Sequence, residues 1–469
     1  MRWTHDLIVI GAGAAGLTAA GGCARLGLRV ALVERDRMGG ECLNTGCVPS
    51  KALIAAAKRA HGMCGAAMGI ASAGPAVNFA GVRAHVQAAI AAIAPHDSAE
   101  RFAAWGVEVI RGEARFTGRR EVVVDGRRLT APRIVVAAGS RPAVPGIPGL
   151  ADAPYLTNET LFGLQELPRH LLVLGAGAMG VEMAQAFRRL GSDVTLLDAG
   201  QPLAGSDPEA AALVLHSLTA EGVKVRTGAT VARVAPAPGG LRLELADGGT
   251  VEGSHLLLAA GRKAALDGLG LEAAGVAASD AGIVVDRRRR TANPAVFAIG
   301  DCRDGPRLTH AAGYEGTVAV MNIAFGWQAG VDYRALPAVI YTDPELAQLG
   351  LTEAEARAKH QVIEVQRTGF GENDRAVADG AAAGFAKVVL ARGKVVGVTM
   401  VGAGAGELLL PWSLAMRGKA SPWAIGGAIV AYPTRSDISK ALGFMVHESK
   451  VFGPAARALA RSLATLRRL

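Results

Sequence analysis

Asp6-Leu-Ile-Val-Ile10 runs directly into Gly11-Ala-Gly13-Ala-Ala-Gly16, and a helical stretch follows to Leu26. A second strand pattern, Arg29-Val-Ala-Leu-Val-Glu34, comes next. The same order recurs as Leu171-Leu-Val-Leu174, Gly175-Ala-Gly177-Ala-Met-Gly180, a helix to Leu190, and the strand Asp193-Val-Thr-Leu-Leu-Asp198. In both copies an acid falls 18 positions after the third glycine. One Gly-x-Gly-x-x-Gly is a weak signal. Two copies with the same flanking pattern and the same acid offset are specific for two dinucleotide-binding units. The glycines allow a tight turn and close approach of a pyrophosphate, which the helix N-terminus attracts. Glu34 and Asp198 are placed to accept hydrogen bonds from ribose hydroxyls.

Working outward, the first unit extends to about residue 149, past Ala138-Gly139-Ser-Arg-Pro142. The second occupies 150–262 and ends at Ala260-Gly261-Arg262. Residues 263–333 read as a return to the first unit, carrying the apolar strand Val296-Phe-Ala-Ile-Gly-Asp301. A further α/β segment covers 334–447 and a tail covers 448–469. The expected fold class is α/β, with two Rossmann-like domains followed by a C-terminal α/β domain.

Composition sets outer bounds. A chain of 469 residues exceeds one core, and half its residues are apolar, ample for a globular interior. The net charge of +9 raises nucleic acid as a partner. The basic run Arg287–Arg290 follows the strand-like Gly282-Ile-Val-Val-Asp286, however, and reads as a solvated turn. No nucleic-acid partner is expected. Leu7–Ala24 imitates a signal peptide, but it holds a glycine turn with its own mechanism. No run of 18 strongly apolar residues occurs, so the reading is a soluble cytoplasmic protein. The five cysteines, Cys23, Cys42, Cys47, Cys64 and Cys302, are too few for a secreted disulfide framework. Cys23, Cys302 and Cys64, the last placed in an Ala-rich helix, read as packing residues. No metal site is expected.

The remaining pair lies in Gly39-Gly40-Glu-Cys42-Leu-Asn-Thr-Gly-Cys47-Val-Pro-Ser-Lys51. Gly46 between the cysteines lets the loop close into a disulfide. Pro49 suits the first turn of a helix, which puts Cys47 near a helix N-terminus, where the dipole favours a thiolate. Lys51 is four residues on, on the same helical face. A cation there stabilises a thiolate.

This stretch closely resembles the redox motif of the flavoprotein disulfide oxidoreductases, which include dihydrolipoamide dehydrogenase, glutathione reductase and mercuric reductase. The resemblance extends to both glycine motifs, Gly300-Asp301, Tyr341-Thr-Asp-Pro-Glu345 with Gly350-Leu-Thr352, and Tyr432-Pro-Thr434. It implies FAD on the first unit with its return segment and NAD(P)H on the second. It implies that Cys47 is the thiolate against the flavin and Cys42 the interchange thiol. Lys51 would sit near the flavin, paired with Glu182, and Asp301 would bind the ribityl or phosphate region. Gly40, Ala114 and Gly139 would join Gly11, Gly13, Gly16 and Glu34 around FAD. Gly261 would join Gly175, Gly177, Gly180 and Asp198 around the nicotinamide nucleotide. Asp198 argues for NADH, since a carboxylate repels a 2′-phosphate; Arg188 and Arg189 leave NADPH open.

The chain departs from the family near its end. Dihydrolipoamide dehydrogenase and glutathione reductase carry a His-Pro-Thr segment, with a Glu five residues after the His. Here Tyr432 stands at the His position and Asp437 at the Glu position. A phenol is a poor base at neutral pH. The segment looks most like the mercuric-reductase branch, yet no cysteine follows Cys302 to hand over Hg(II). The expected function is NAD(P)H-dependent reduction of a small-molecule or protein disulfide, or a related acceptor, through FAD and Cys42/Cys47. Three alternatives stay open: a dihydrolipoamide-dehydrogenase-like enzyme, a metal-ion reductase, and a non-turnover redox sensor or electron-transfer component. The resemblance also implies a homodimer in which Tyr432 and Asp437 reach the partner's disulfide. From Gly453-Pro454 the tail reads as a helix, with Leu459, Leu463 and Leu466 on one face and Arg457, Arg461 and Arg468 on another. Weak contact with a membrane surface and packing within the dimer are its two readings.

Overall fold

Leu7–Ile10 is apolar at every position and buried on both faces, as a central parallel strand must be. It pairs in parallel with Val30–Glu34 on one side and Arg133–Val136 on the other. Val107–Arg111 extends one edge, and Val296–Ala298 closes the other by pairing with Arg133–Val136. Val296–Ala298, far along the chain, is thus an edge strand of the first sheet. One face packs beneath helices Ala14–Arg25 and Thr309–Ala324. The other is covered by the antiparallel strands Ala114–Gly118, Glu121–Val124 and Arg127–Thr130.

The second glycine motif follows an equivalent strand, His170–Leu174, which pairs in parallel with Asp193–Leu197 and with His255–Leu258. Helix Ala178–Leu190 packs beside these strands, and a three-stranded antiparallel sheet over residues 231–253 shares their core. The chain passes between the two parallel sheets along the antiparallel pair Ser140–Pro142 and Arg262–Ala264.

The computed structural model describes residues 2–468. By internal contacts they form two compact units, 1–64, 73–199 and 226–331 against 65–72, 200–225 and 332–469. The parallel strands described above belong to the first unit. The second is built on an antiparallel sheet ordered Pro337–Ile340, Glu345–Gly350, Lys394–Gly402, Phe385–Ala391, Glu364–Gly369. Its core holds the fully buried Trp412, whose Nε1 donates to Ser439 Oγ at 3.1 Å.

Two local expectations are corrected. The Cys47–Gly62 helix stops before Cys64, which begins the strand Cys64–Ala67. Left-handed Gly65 and Gly69 suit that short hairpin with Ile70–Ala73 better than a longer helix. The Arg287–Arg290 run is a turn, but it is not wholly solvated. Arg289 has φ +65°, is buried, and faces Glu315 at 3.9 Å. No helix among the described residues is long and apolar enough to cross a membrane.

Candidate active site

Gly39 and Gly40 both have positive φ, 84° and 57°, and turn the chain into the short helix Gly40–Asn44 that carries Cys42. A side chain at Gly40 would collide with the first glycine motif, since a Cβ there would lie 2.7 Å from Gly13 Cα. Gly46 then caps helix Cys47–Gly62, so Cys47 is its first residue. Cys47 Sγ also lies 3.2 Å from Thr309 Oγ1, and Thr309 is the first residue of Thr309–Ala324. Two helix starts therefore meet at one sulfur, and both favour negative charge.

The two thiols are pushed in opposite directions. Cys47 is lowered to about 6, first by the hydrogen bond from Cys42, then by the Thr309 hydroxyl and the Lys51 charge, which together outweigh partial desolvation. Cys42 is raised, first because it is the donor to the Cys47 sulfur and then by burial. Near neutral pH the dithiol thus holds one thiolate, on Cys47.

Lys51 reaches out of the same helix face and places Nζ 2.7 Å from Glu182 Oε2. Glu182 is buried on Ala178–Leu190, the helix that begins at the second glycine turn. The pair ties the cysteine helix to the second nucleotide unit.

In each glycine turn the three glycines have different reasons to be there. A Cβ at Gly11 would lie 2.3 Å from Ala137 O, and one at Gly16 would lie 1.8 Å from Gly11 O. Gly175 and Gly180 repeat this at 2.4 Å from Ala259 O and 1.9 Å from Gly175 O. The middle glycines differ: Gly177 has nothing within 4 Å and Gly13 only Gly40 Cα at 3.9 Å. These two also cap their helices without a side-chain hydrogen bond, which leaves the first helical amides to an anion. Glu34 Oε2 accepts from Ala12 N at 2.6 Å and Asp198 Oδ2 from Ala176 N at 2.7 Å, so each acid is held against its own turn. Open middle glycines, uncapped amides and acids held beside them fit two dinucleotides.

A network absent from the sequence reading lies behind Cys42. Glu41 is ion-paired to Arg262 and accepts from Asn158 Nδ2 at 3.0 Å. Arg262 Nε donates to Ser140 Oγ at 2.8 Å, and Ser140 Oγ donates to Asp301 Oδ2 at 2.9 Å. Burial pushes Glu41 up to about 7, with Arg262 opposing. Beneath Asp301, Gly300 N donates to Glu315 Oε2 at 2.7 Å, and the fully buried Glu315 pairs with the fully buried Arg303. Gly139 has φ +74° just before Ser140, Gly261 has φ +115° just before Arg262, and Ala114 is buried in the strand Ala114–Gly118.

Tyr432 and Asp437 belong to the second unit. Tyr432 is exposed, and its hydroxyl donates to Asp374 Oδ2 at 2.8 Å. That bond pushes the phenol above its ordinary value. Asp437 sits in the first turn of Ser436–Val451.

Residues 5–316 match the pyridine nucleotide-disulphide oxidoreductase family, and residues 336–442 match its dimerisation domain. The chain belongs to this family. Like other pyridine nucleotide-disulphide oxidoreductases, it is an NAD(P)H-dependent FAD enzyme that moves electrons from nicotinamide through flavin to a redox disulfide. The dimerisation domain supports a homodimer. It is 39% identical over 451 residues to a dihydrolipoyl dehydrogenase of Thermus scotoductus, covering 92% of this chain and 95% of that one. It is 36% identical to a mercuric reductase of Acidithiobacillus ferrooxidans, covering 91% and 80%. Among solved structures it resembles the Cu(II) complex of the HOCl-induced flavoprotein disulfide reductase RclA from Escherichia coli. That match has a TM-score of 0.85 and 26% identity, over 93% of this chain and 99% of that one.

Proposed function

We propose that Cys42 and Cys47 are the redox pair of this oxidoreductase and that they reduce a disulfide or a related thiophilic acceptor. The observation that carries this is the sulfur of Cys47, held at two helix starts beside Thr309 with Lys51–Glu182 one turn on. Bound FAD supplies the two-electron relay from the nicotinamide to the Cys42–Cys47 disulfide. On the protein side, the reduced pair holds one thiolate and one proton. The proton passes from Cys42 to Cys47 as Cys42 attacks an acceptor sulfur, forming a mixed disulfide and releasing the first acceptor thiolate. Cys47 then gives up that proton to the released thiolate and attacks Cys42. The second acceptor thiolate leaves, and the Cys42–Cys47 disulfide is restored.

Gly11, Gly13, Gly16, Glu34, Gly40, Ala114, Gly139 and Asp301 are assigned to FAD, within a domain of residues 1–149 and 263–333. Gly175, Gly177, Gly180, Asp198 and Gly261 are assigned to the nicotinamide nucleotide, within 150–262. Residues 334–447 are assigned to dimerisation, bringing Tyr432 and Asp437 to the partner's disulfide. The sparse cysteines support a reducing, cytoplasmic setting.

One observation favours a second acceptor class. The Tyr432 hydroxyl donates its hydrogen bond to Asp374 and is pushed above its ordinary value, so it is not set up as the base that dithiol exchange uses. A thiophilic metal ion binds thiolates without such a base; a relative named mercuric reductase and a neighbour solved as a Cu(II) complex are in keeping with that class. The test is steady-state NADH oxidation with lipoamide, glutathione disulfide, Cu(II) and Hg(II). Turnover that Cys42→Ser and Cys47→Ser both abolish supports the proposal, and the preferred acceptor separates the classes. Turnover untouched by both substitutions contradicts it.

A further inference from the structure

The helix Pro454–Leu466 begins well after the dimerisation match ends at residue 442. None of its residues is buried. Leu459, Leu463 and Leu466 are 62%, 44% and 66% exposed and share one face at 3.6 residues per turn. Just before this helix, the exposed Phe452, which caps the end of Ser436–Val451, packs edge-on against the exposed Phe444, with centroids 5.9 Å apart. At 3.6 residues per turn, Arg457 and Arg461 lie on the opposite face, and Arg468 follows in register just beyond the helix. Residues 449–469 hold Lys450, Arg457, Arg461, Arg467 and Arg468 and no acidic residue.

We propose that this helix docks the enzyme on an anionic lipid bilayer. A solvent-exposed helix normally mixes both charge signs. This one has a single sign opposite its three exposed leucines, the pattern of a helix lying in a headgroup layer. Charge selects the occupant. An acid-free segment with five cations complements anionic headgroups, and each cation near such a surface raises partitioning roughly fivefold. Three leucines insert little area, so one helix binds weakly and releases in salt. The docked enzyme would then meet acceptors held at the membrane surface.

The test is co-sedimentation of the FAD-loaded full chain with phosphatidylcholine vesicles, with and without roughly a third of phosphatidylglycerol, at low and high salt. Three variants accompany it: removal of residues 453–469, Arg457→Glu with Arg461→Glu, and Leu459→Ser with Leu463→Ser. NADH oxidation in solution checks folding. Pelleting on the anionic vesicles alone, lost in salt and reduced more than about tenfold in each variant, supports the proposal. Three results overturn it. One is equal, negligible pelleting of the full and shortened chains on anionic vesicles. Another is anionic binding that the shortened chain retains. The third is a shift from dimer to monomer on shortening, measured by light scattering, which would assign the apolar face to a second copy of the chain.

Discussion

Thr309 Oγ1 lies 3.2 Å from Cys47 Sγ, and each residue opens its own helix. A hydroxyl donating to a thiolate lowers the thiol pKa by the strength of that bond. A hydrogen bond to a charged partner is worth about 1.5–3 kcal/mol, or roughly one to two pH units. With the pKa of Cys47 at about 6, the thiolate is present above that pH and is lost as pH falls through it. The long-wavelength thiolate-to-flavin absorbance of the two-electron-reduced enzyme should titrate accordingly. Thr309→Val should move its midpoint upward by roughly one to two units. An unmoved midpoint would remove Thr309 from the account.

Lys51→Met should slow reduction of the enzyme by NADH by an order of magnitude or more, measured by anaerobic stopped flow. It leaves the buried Glu182 without its 2.7 Å cation. Lys51 is itself partly exposed, so the stability loss should be about 1–3 kcal/mol, below that of a fully buried pair. Lys51→Arg should recover most of the stability. If Met and Arg behave alike in rate and in melting, the ion pair has no role.

What was legible in the sequence was local. The strand–glycine–helix units follow from contiguous residues, and the cysteine helix follows from Gly46, Cys47 and Pro49. The Lys51–Glu182 pairing, 131 residues apart, came only through family resemblance. Thr309, Arg262 and Ser140 are ordinary residue types at ordinary positions. Sheet topology alone brings Arg262 to Glu41 across 221 residues. Arg289 is hidden from a sequence reading because a run of four arginines looks like surface. A positive φ turns one of them inward toward Glu315.

NADH should give a higher kcat/KM than NADPH. Asp198 is held at its turn by Ala176 N, where a 2′-phosphate would meet its charge. Of Arg188 and Arg189, the two that leave NADPH open, Arg188 donates to Ser192 O and Asp193 Oδ1, at the opposite end of the strand from Asp198. Asp198→Ser should narrow the preference by about tenfold, the effect of removing one unfavourable charge contact of about 1.4 kcal/mol. Better kinetics with NADPH in the unaltered enzyme would refute the assignment.

Tyr432→Phe should leave acceptor turnover near pH 7 within about threefold, because a phenol bonded to Asp374 is already too weakly acidic to shuttle protons there. Tyr432→His should raise lipoamide turnover by supplying a base of suitable pKa. A tenfold or greater loss in the Phe variant would show that the hydroxyl takes part in the reaction.

The most direct test of the Cys42/Cys47 assignment is an anaerobic spectrum of the FAD-loaded enzyme during NADH titration, repeated with each cysteine changed to serine. The unaltered enzyme should develop the long-wavelength thiolate-to-flavin band only on two-electron reduction. Cys47→Ser should abolish the band, and Cys42→Ser should display it before any reductant is added. Spectra that neither substitution alters would contradict the account.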